Sequence, residues 1–123
     1  MAQRYIRVQS LEGRIYYGIL QLSLEVLLLD APPWLQGQPT EESLTPDEYQ
    51  ILAPCAPSKI VAVGKNYVEH AAEMGSSVPK EPLLFLKPPS AVIATATEIK
   101  YPQQSRRVDY EGELALVIRS EEH

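Results

Sequence analysis

The sequence predicts an α+β protein that is mainly β, and three observations carry this prediction. Short apolar runs alternate with turn residues over residues 3–30, and a strand, a glycine and a helix follow one another over residues 59–75. Acidic and apolar residues then alternate over residues 108–114. Runs of this kind, with a period of two or bounded by turn residues, are typical of strands.

Residues 1–57 are predicted to form a small N-terminal β domain. The strands of its meander are predicted at residues 5–8, 15–20 and 24–29. Residues 31–46 are proline-rich and predict a loop. The segment Thr45-Pro-Asp-Glu48 that follows predicts an N-cap with proline at the first helical position, and only a short helical turn fits before Pro54.

Residues 58–123 are predicted to begin a second domain after a rigid proline-containing connector. Its first elements are a buried strand ended by Gly64 and a short helix, capped by Asn66 and ended by Gly75, because glycine favours the left-handed conformation that closes helices. The elements are predicted, in chain order, at residues 59–63, 67–74, 83–86 and 108–119.

Composition excludes several classes of function. The net charge of −5 and the pI near 5.0 argue against a sequence-independent nucleic-acid binder, which needs a basic surface. The single cysteine, Cys55, allows no internal disulfide. The apolar run Val26–Leu29 is too short to span a bilayer, and the N-terminus lacks the apolar core of a signal peptide. We therefore expect a cytoplasmic protein with no membrane or nucleic-acid partner.

His70 and Glu73 form the first candidate site. Three residues apart on a helix, they share one face, where a carboxylate can orient an imidazole for proton transfer. Spacing alone favours an ordinary solvated helix face, since Glu69 and Glu73 also form an i,i+4 pair. The position of this short helix directly after a strand and a glycine favours the catalytic interpretation.

Lys87 is the second candidate. It precedes Pro88 and Pro89, so a rigid loop would present its ammonium group to an anionic substrate at little entropic cost. An ordinary surface lysine is the alternative interpretation.

Asp109, Glu111 and Glu113 place three carboxylates on one face of the predicted final strand. Neighbouring carboxylates at the edge of an apolar interior repel one another, and a divalent cation or a basic cluster relieves that repulsion. Glu111 and Glu113 therefore predict a site for a hard divalent cation, which can be Mg²⁺, Mn²⁺ or Ca²⁺. Two different roles stay open for these carboxylates: they protect an edge strand from pairing, or the nearby Arg106 and Arg107 neutralise them.

Three segments in the same order and at matching intervals resemble the fumarylacetoacetate hydrolase family. They are Val63-Gly-Lys-Asn-Tyr-Val-Glu-His-Ala-Ala-Glu-Met-Gly75, Pro82-Leu-Leu-Phe-Leu-Lys-Pro-Pro-Ser90 and Val108-Asp-Tyr-Glu-Gly-Glu-Leu114. The resemblance covers residues 58–119, and residues 1–57 are similar to the small β domain of many bacterial members.

The resemblance implies a mixed β fold, a homodimer when the protein is full length, and a divalent metal, commonly Mg²⁺. The family hydrolyses, decarboxylates or isomerises small 2-oxo or 1,3-dicarbonyl acids, so a small anionic oxo acid is the implied substrate. By resemblance, His70 and Glu73 are the water-activating dyad, Lys87 faces the substrate, and Glu111 and Glu113 are the first two metal ligands.

The sequence departs from the family at the third metal ligand, an aspartate from a later motif that this chain does not contain. Asp109 cannot replace it, because it lies on the same predicted strand as the other two ligands. We therefore expect a truncated and inactive member with an uncovered apolar face. The alternative is a non-catalytic binding or assembly module that pairs through an exposed sheet edge.

Overall fold

The computed structural model describes residues 2–75 and 80–119, with only the backbone of Val68. The predicted α+β, mainly β fold class is confirmed. The chain divides into two compact units, the first formed by Met1–Cys55 with Ile93–His123 and the second by Ala56–Val92. The boundary expected after residue 57 stays a prediction.

A five-stranded antiparallel sheet dominates the first unit, and we call it the N-terminal sheet. Its strands are β1 (Tyr5–Ser10), β2 (Ile15–Leu20), β3 (Val26–Leu29), β4 (Pro39–Leu44) and β5 (Tyr49–Ile51), in the spatial order β4-β3-β2-β1-β5. The structure confirms the predicted three-stranded meander. The loop prediction over residues 31–46 is wrong for β4, whose sequence Pro-Thr-Glu-Glu-Ser-Leu has no apolar alternation and forms a strand by pairing with β3.

The core of this sheet is built from Val8, Val26 and Leu28, which are 0%, 0% and 3% exposed. Gly18 on β2 allows the close approach of β3, since a Cβ atom there would lie 2.3 Å from Val26 Cγ1. Five half-buried side chains pack around this core: Ile6, Tyr16, Leu20, Leu44 and Tyr49.

The predicted helical turn after Thr45 is confirmed as a 3₁₀ turn, Pro46–Glu48. The Glu48 carboxylate accepts hydrogen bonds from the Thr45 backbone N–H at 2.9 Å and from the Thr45 hydroxyl at 2.7 Å. These bonds, the backbone one first, hold the pKa of Glu48 below its usual value. The turn therefore fixes the route from β4 to β5, which lie at opposite edges of the sheet.

The second unit contains β6 (Ile60–Gly64), α1 (Val68–Glu73) and β7 (Leu83–Lys87). All three elements agree in type and position with the sequence prediction, and β6 and β7 pair antiparallel. The predicted burial of β6 is wrong, since Ala62 is its one buried residue and Val61 is 56% exposed. Gly75 adopts φ +74°, and its N–H donates to the carbonyl of Ala72 at 2.9 Å, which ends the helix as predicted. The predicted Asn66 cap is wrong: the N-cap is Tyr67, without a side-chain hydrogen bond to the helix.

The predicted strand over residues 108–119 is absent from the described chain. Alternation produces a strand only where a neighbouring strand supplies hydrogen-bond partners, and the described residues 108–119 join neither sheet. Their apolar side chains are exposed, with Tyr110 at 98% and Leu114 at 83%. No described helix is long and apolar enough to cross a bilayer.

Candidate catalytic and metal-binding residues

His70 and Glu73 lie on one face of α1, as their spacing predicts. The imidazole Nδ1 is 4.0 Å from the Glu73 carboxylate Oε2, which is within ion-pair range but too long for a hydrogen bond. The His70 side chain is 35% exposed and that of Glu73 is 79% exposed. The imidazole is thus partly sheltered while its carboxylate partner faces solvent.

The local sequence explains how the chain passes from β6 to α1. β6 ends at Gly64, where a Cβ atom would lie 3.1 Å from Leu83 Cδ2, so a side chain there would crowd β7. Lys65 follows with φ +51°, a left-handed conformation that reverses the chain ahead of α1. The helix is anchored by Ala71, which is fully buried and directly follows His70.

Lys87 is the last residue of β7 and pairs in register with Ile60. The Gly64 end of the ladder, from which the chain continues toward α1, is four residue pairs away. The Lys87 ammonium nitrogen lies 5.7 Å from the centre of the Phe85 ring, a cation–π distance. The structure therefore places Lys87 in the same unit as His70 and Glu73, exposed at the opposite end of the ladder.

Glu111 and Glu113 are both exposed and belong to the part of the chain that groups with the N-terminal sheet. Nearby, Arg107 Nε lies 2.9 Å from Asp109 Oδ2 and donates to Oδ1 at 3.1 Å. This guanidinium is therefore engaged by Asp109 through its Nε. Asp109 is correspondingly committed to an ion pair.

The donor chemistry of Glu111 and Glu113 fits a hard divalent cation, because carboxylate oxygens are the ligands that Mg²⁺, Mn²⁺ and Ca²⁺ prefer. Among the described residues, no group of three histidine, cysteine, aspartate or glutamate side chains could hold a metal ion. Glu111 and Glu113 are therefore two candidate donors among the described residues, fewer than the three of such a group.

The N-terminal sheet carries a concave site that the sequence did not reveal. It has a volume of about 500 Å³, and its lining residues come from β2, β3, β4 and the turn after β3. Asp30 and Glu42 supply its carboxylates. The pairing of distant strands brings these residues together, so no spacing along the chain indicates the site.

Two sequence-family models match the chain. The model described as the fumarylacetoacetate hydrolase C-terminal domain matches residues 59–122, and the Rv2993c-like N-terminal model matches residues 3–54. The first match contains all five residues predicted for catalysis or metal binding, which are His70, Glu73, Lys87, Glu111 and Glu113.

Individual relatives agree with these matches. A protein from Archaeoglobus fulgidus described only as uncharacterized is 48% identical, over 86% of this chain and 38% of the relative. The mitochondrial oxaloacetate tautomerase fahd2 from Xenopus laevis is 42% identical, over 61% of this chain and 24% of the relative.

Among solved structures, the 2-hydroxyhepta-2,4-diene-1,7-dioate isomerase from Mycobacterium marinum is 26% identical, with a TM-score of 0.59, over 75% of this chain and 34% of that structure. The chain therefore spans less than two fifths of the length of each of these three relatives.

Proposed function

This chain belongs to the fumarylacetoacetate hydrolase family, and on that basis we propose that it carries part of the active site of an enzyme acting on small 2-oxo or 1,3-dicarbonyl acids. The reaction is a hydrolysis, decarboxylation or isomerisation, including keto–enol tautomerisation. Relatives named as an oxaloacetate tautomerase and a dienedioate isomerase support this substrate class. The observation that carries the proposal is the His70–Glu73 pair, separated by 4.0 Å within the matched region.

In this proposal His70 moves the proton. Its imidazole is sheltered enough to hold one orientation and open enough to reach a substrate or a water molecule. Glu73 orients the ring and compensates the charge that the ring gains when it accepts a proton. Lys87, exposed at the end of β7, attracts the carboxylate of an oxo acid.

We propose further that Glu111 and Glu113 hold a divalent cation, Mg²⁺ first and Mn²⁺ or Ca²⁺ as alternatives. Bound there, a cation would supply Lewis acidity toward the substrate oxygens. The two glutamates contribute charge and hard oxygen ligands, and Asp109 is paired with Arg107. Homodimer formation by the full-length protein belongs to the same proposal.

The test measures the enol-to-keto conversion of oxaloacetate by absorbance, together with the cleavage of acylpyruvates, using the protein with saturating Mg²⁺. For a protein that turns over either substrate, His70→Gln should lower kcat by about 10²- to 10⁴-fold, the usual contribution of a general acid–base group. Glu73→Gln should lower kcat in the same direction. Glu69→Gln, an exposed carboxylate beside His70 on the same helix, is the matched control and should leave kcat unchanged.

Retention of full kcat by His70→Gln would remove the dyad from the mechanism. Full activity in a metal-free, EDTA-treated sample would remove the cation while leaving the dyad intact. The two parts of the proposal therefore fail separately.

A non-catalytic assembly module is the second candidate, and the exposed side chains of β7 favour it. Leu84 is 59% exposed and Leu86 is 71% exposed, on a sheet of only two strands. Such a surface promotes association. Light scattering after size exclusion tests it: a defined dimer that is indifferent to Mg²⁺ supports assembly, and a monomer or a polydisperse aggregate contradicts it.

A further inference from the structure

The groove on the N-terminal sheet is lined by apolar, aromatic and acidic residues. Leu28 and Leu29 line it and are 3% and 6% exposed, and Tyr16 and Tyr17 on β2 line it as well. Thr40 and Glu42 on β4 and Asp30 at the end of β3 complete its polar rim. A volume of about 500 Å³ is in the range of small-molecule sites.

Local packing holds the groove in shape. The Tyr17 ring meets Trp34 edge-to-face, with ring centres 5.0 Å apart and an interplanar angle of 80°. The turn after β3 is closed tightly at Gly37, where a Cβ atom would overlap the Ala31 carbonyl oxygen at 1.8 Å. A ligand would therefore meet walls that need little rearrangement.

Hydrogen bonds fix the polar rim as well. Asp30 Oδ1 accepts from the Gln38 N–H at 2.7 Å, which orients the carboxylate and leaves further acceptor capacity. The Thr40 hydroxyl donates to the Leu28 carbonyl at 2.9 Å, so this side chain is committed to the sheet. The carboxylates, and not the hydroxyl, remain the groups that would select a ligand.

The charge of the groove is one-sided. Asp30 and Glu42 are the charged residues that line it, and no lysine or arginine does. Arg14 interacts with residues that line the groove. A side-chain hydrogen bond with Tyr16 is the main cause that raises the pKa of Arg14, and electrostatic attraction to Tyr16, Glu12 and Glu42 adds smaller contributions. Glu42 is the weakest of these contributors to the pKa of Arg14, so Arg14 competes only slightly for Glu42.

We propose that this groove binds a small organic cation with an apolar or aromatic body. The ammonium or guanidinium group pairs with Asp30 and, less strongly, with Glu42. The body packs on the Tyr16 ring, which lies on the same face of the sheet as Leu28 and whose π face also attracts cations. This site goes beyond the proposed oxo-acid chemistry, because it selects the opposite charge and uses none of the residues assigned to that chemistry.

Trp34 makes the test direct, because it is the only tryptophan of the chain and touches a wall of the groove. Benzylammonium is titrated against the full 123-residue chain, and tryptophan emission is recorded with selective excitation. Benzyl alcohol, which has the same ring without the charge, is the ligand control. We expect saturable binding of benzylammonium with a Kd on the order of 1 mM, since exposed charge pairs and a few apolar contacts give modest affinity.

The variants differ in the sign of their expected effects. Asp30→Asn and Glu42→Gln should each weaken binding by about two- to five-fold, with Asp30→Asn the larger. Arg14→Gln should tighten binding slightly, because it removes the competing guanidinium. Glu41→Gln, the exposed neighbour of Glu42 on β4 that does not line the groove, should leave the Kd unchanged.

Circular dichroism of each variant shows whether the sheet is intact. If Asp30→Asn disturbs the turn that it closes with Gln38, then Glu42→Gln and Arg14→Gln still decide the question. Three results would overturn the proposal: no saturable response to benzylammonium, an equal response to benzyl alcohol, or equal binding by Glu42→Gln, Arg14→Gln and Glu41→Gln.

Discussion

Apolar side chains are mostly buried or half-buried in the N-terminal sheet and exposed in β7 and in residues 108–119. Val8 and Val26 of the sheet are fully buried. In the other region every residue of β7 is exposed, and Leu116 and Ile118 are 78% and 85% exposed. Lys87, Glu111 and Glu113 lie among these exposed residues, and His70 and Glu73 lie on α1. Folding stability and the proposed chemistry are therefore carried by different parts of the chain.

The largest expected effect contrasts two leucines. Leu28→Ala empties a site that is 3% exposed in the sheet core and should lower the free energy of unfolding by about 2–5 kcal/mol. Leu86→Ala trims a side chain that is 71% exposed and should change it by less than about 0.5 kcal/mol. Urea unfolding followed by far-ultraviolet circular dichroism, which reports the strands of both units, measures both. Equal losses would mean that β7 is covered in solution and that the two regions do not differ in this way.

Two glycines give the next contrast. A Cβ atom at Gly18 would lie 2.3 Å from Val26 Cγ1 and 2.9 Å from the Leu27 carbonyl oxygen, so Gly18→Ala should cost about 1–3 kcal/mol through overpacking. Nothing lies within 4 Å of the corresponding position at Gly112. Gly112→Ala should therefore change the stability little. Thermal unfolding of the two variants checks this, and a tolerated Gly18→Ala would show that β2 and β3 separate readily.

The sequence predicted the elements whose local signals agree with their surroundings. β1, β2, β3 and β6 follow apolar runs, α1 ends at Gly75, and the turn after Thr45 has its proline and acids in place. β4 was missed because pairing with β3, rather than apolar periodicity, makes it a strand. β5 was missed because its three residues, Tyr49–Ile51, are too short a run to predict a strand. The strand predicted over residues 108–119 failed for the converse reason: it has the periodicity without a partner strand among the described residues.

The candidate site was predictable only in part. Helical spacing correctly brought His70 beside Glu73. The position of Lys87 depends on the β6–β7 register, which pairs it with Ile60 and which composition does not encode. No pattern along the sequence predicts the groove at Asp30 and Glu42, since its residues meet only after β2, β3 and β4 have paired.

A smaller effect comes from the turn that joins β4 to β5. Thr45→Ala removes hydroxyl contacts to Asp47 and Glu48 and should cost about 1 kcal/mol, the net worth of a typical capping hydrogen bond. Chemical unfolding at neutral pH measures it. A cost near zero would mean that the Thr45 hydroxyl adds nothing to the stability of the turn between the two edge strands.

The same turn predicts a pH dependence. The pKa of Glu48 is lowered by its hydrogen bonds to Thr45, so the stabilisation is present above the unfolded pKa of about 4.3 and is lost as the pH falls through the folded value. Stability measured from pH 6 to pH 3 should fall less steeply in Glu48→Gln than in the wild type. Glu41→Gln, an exposed carboxylate on β4 outside this turn, is the control. Parallel curves for the wild type and Glu48→Gln would contradict the assignment.

The smallest expected effect is at Asp109, in the exposed segment that carries the proposed metal ligands. The side chains of Arg107 and Asp109 are 83% and 61% exposed, and an ion pair so open to water contributes at most about 1 kcal/mol. Asp109→Asn should therefore leave unfolding nearly unchanged. It should also leave Mn²⁺ affinity unchanged in a titration followed by electron paramagnetic resonance, whereas Glu111→Gln should weaken it. If Asp109→Asn weakened Mn²⁺ binding as much as Glu111→Gln, Asp109 would be a ligand and its pairing with Arg107 would have to open when the cation binds.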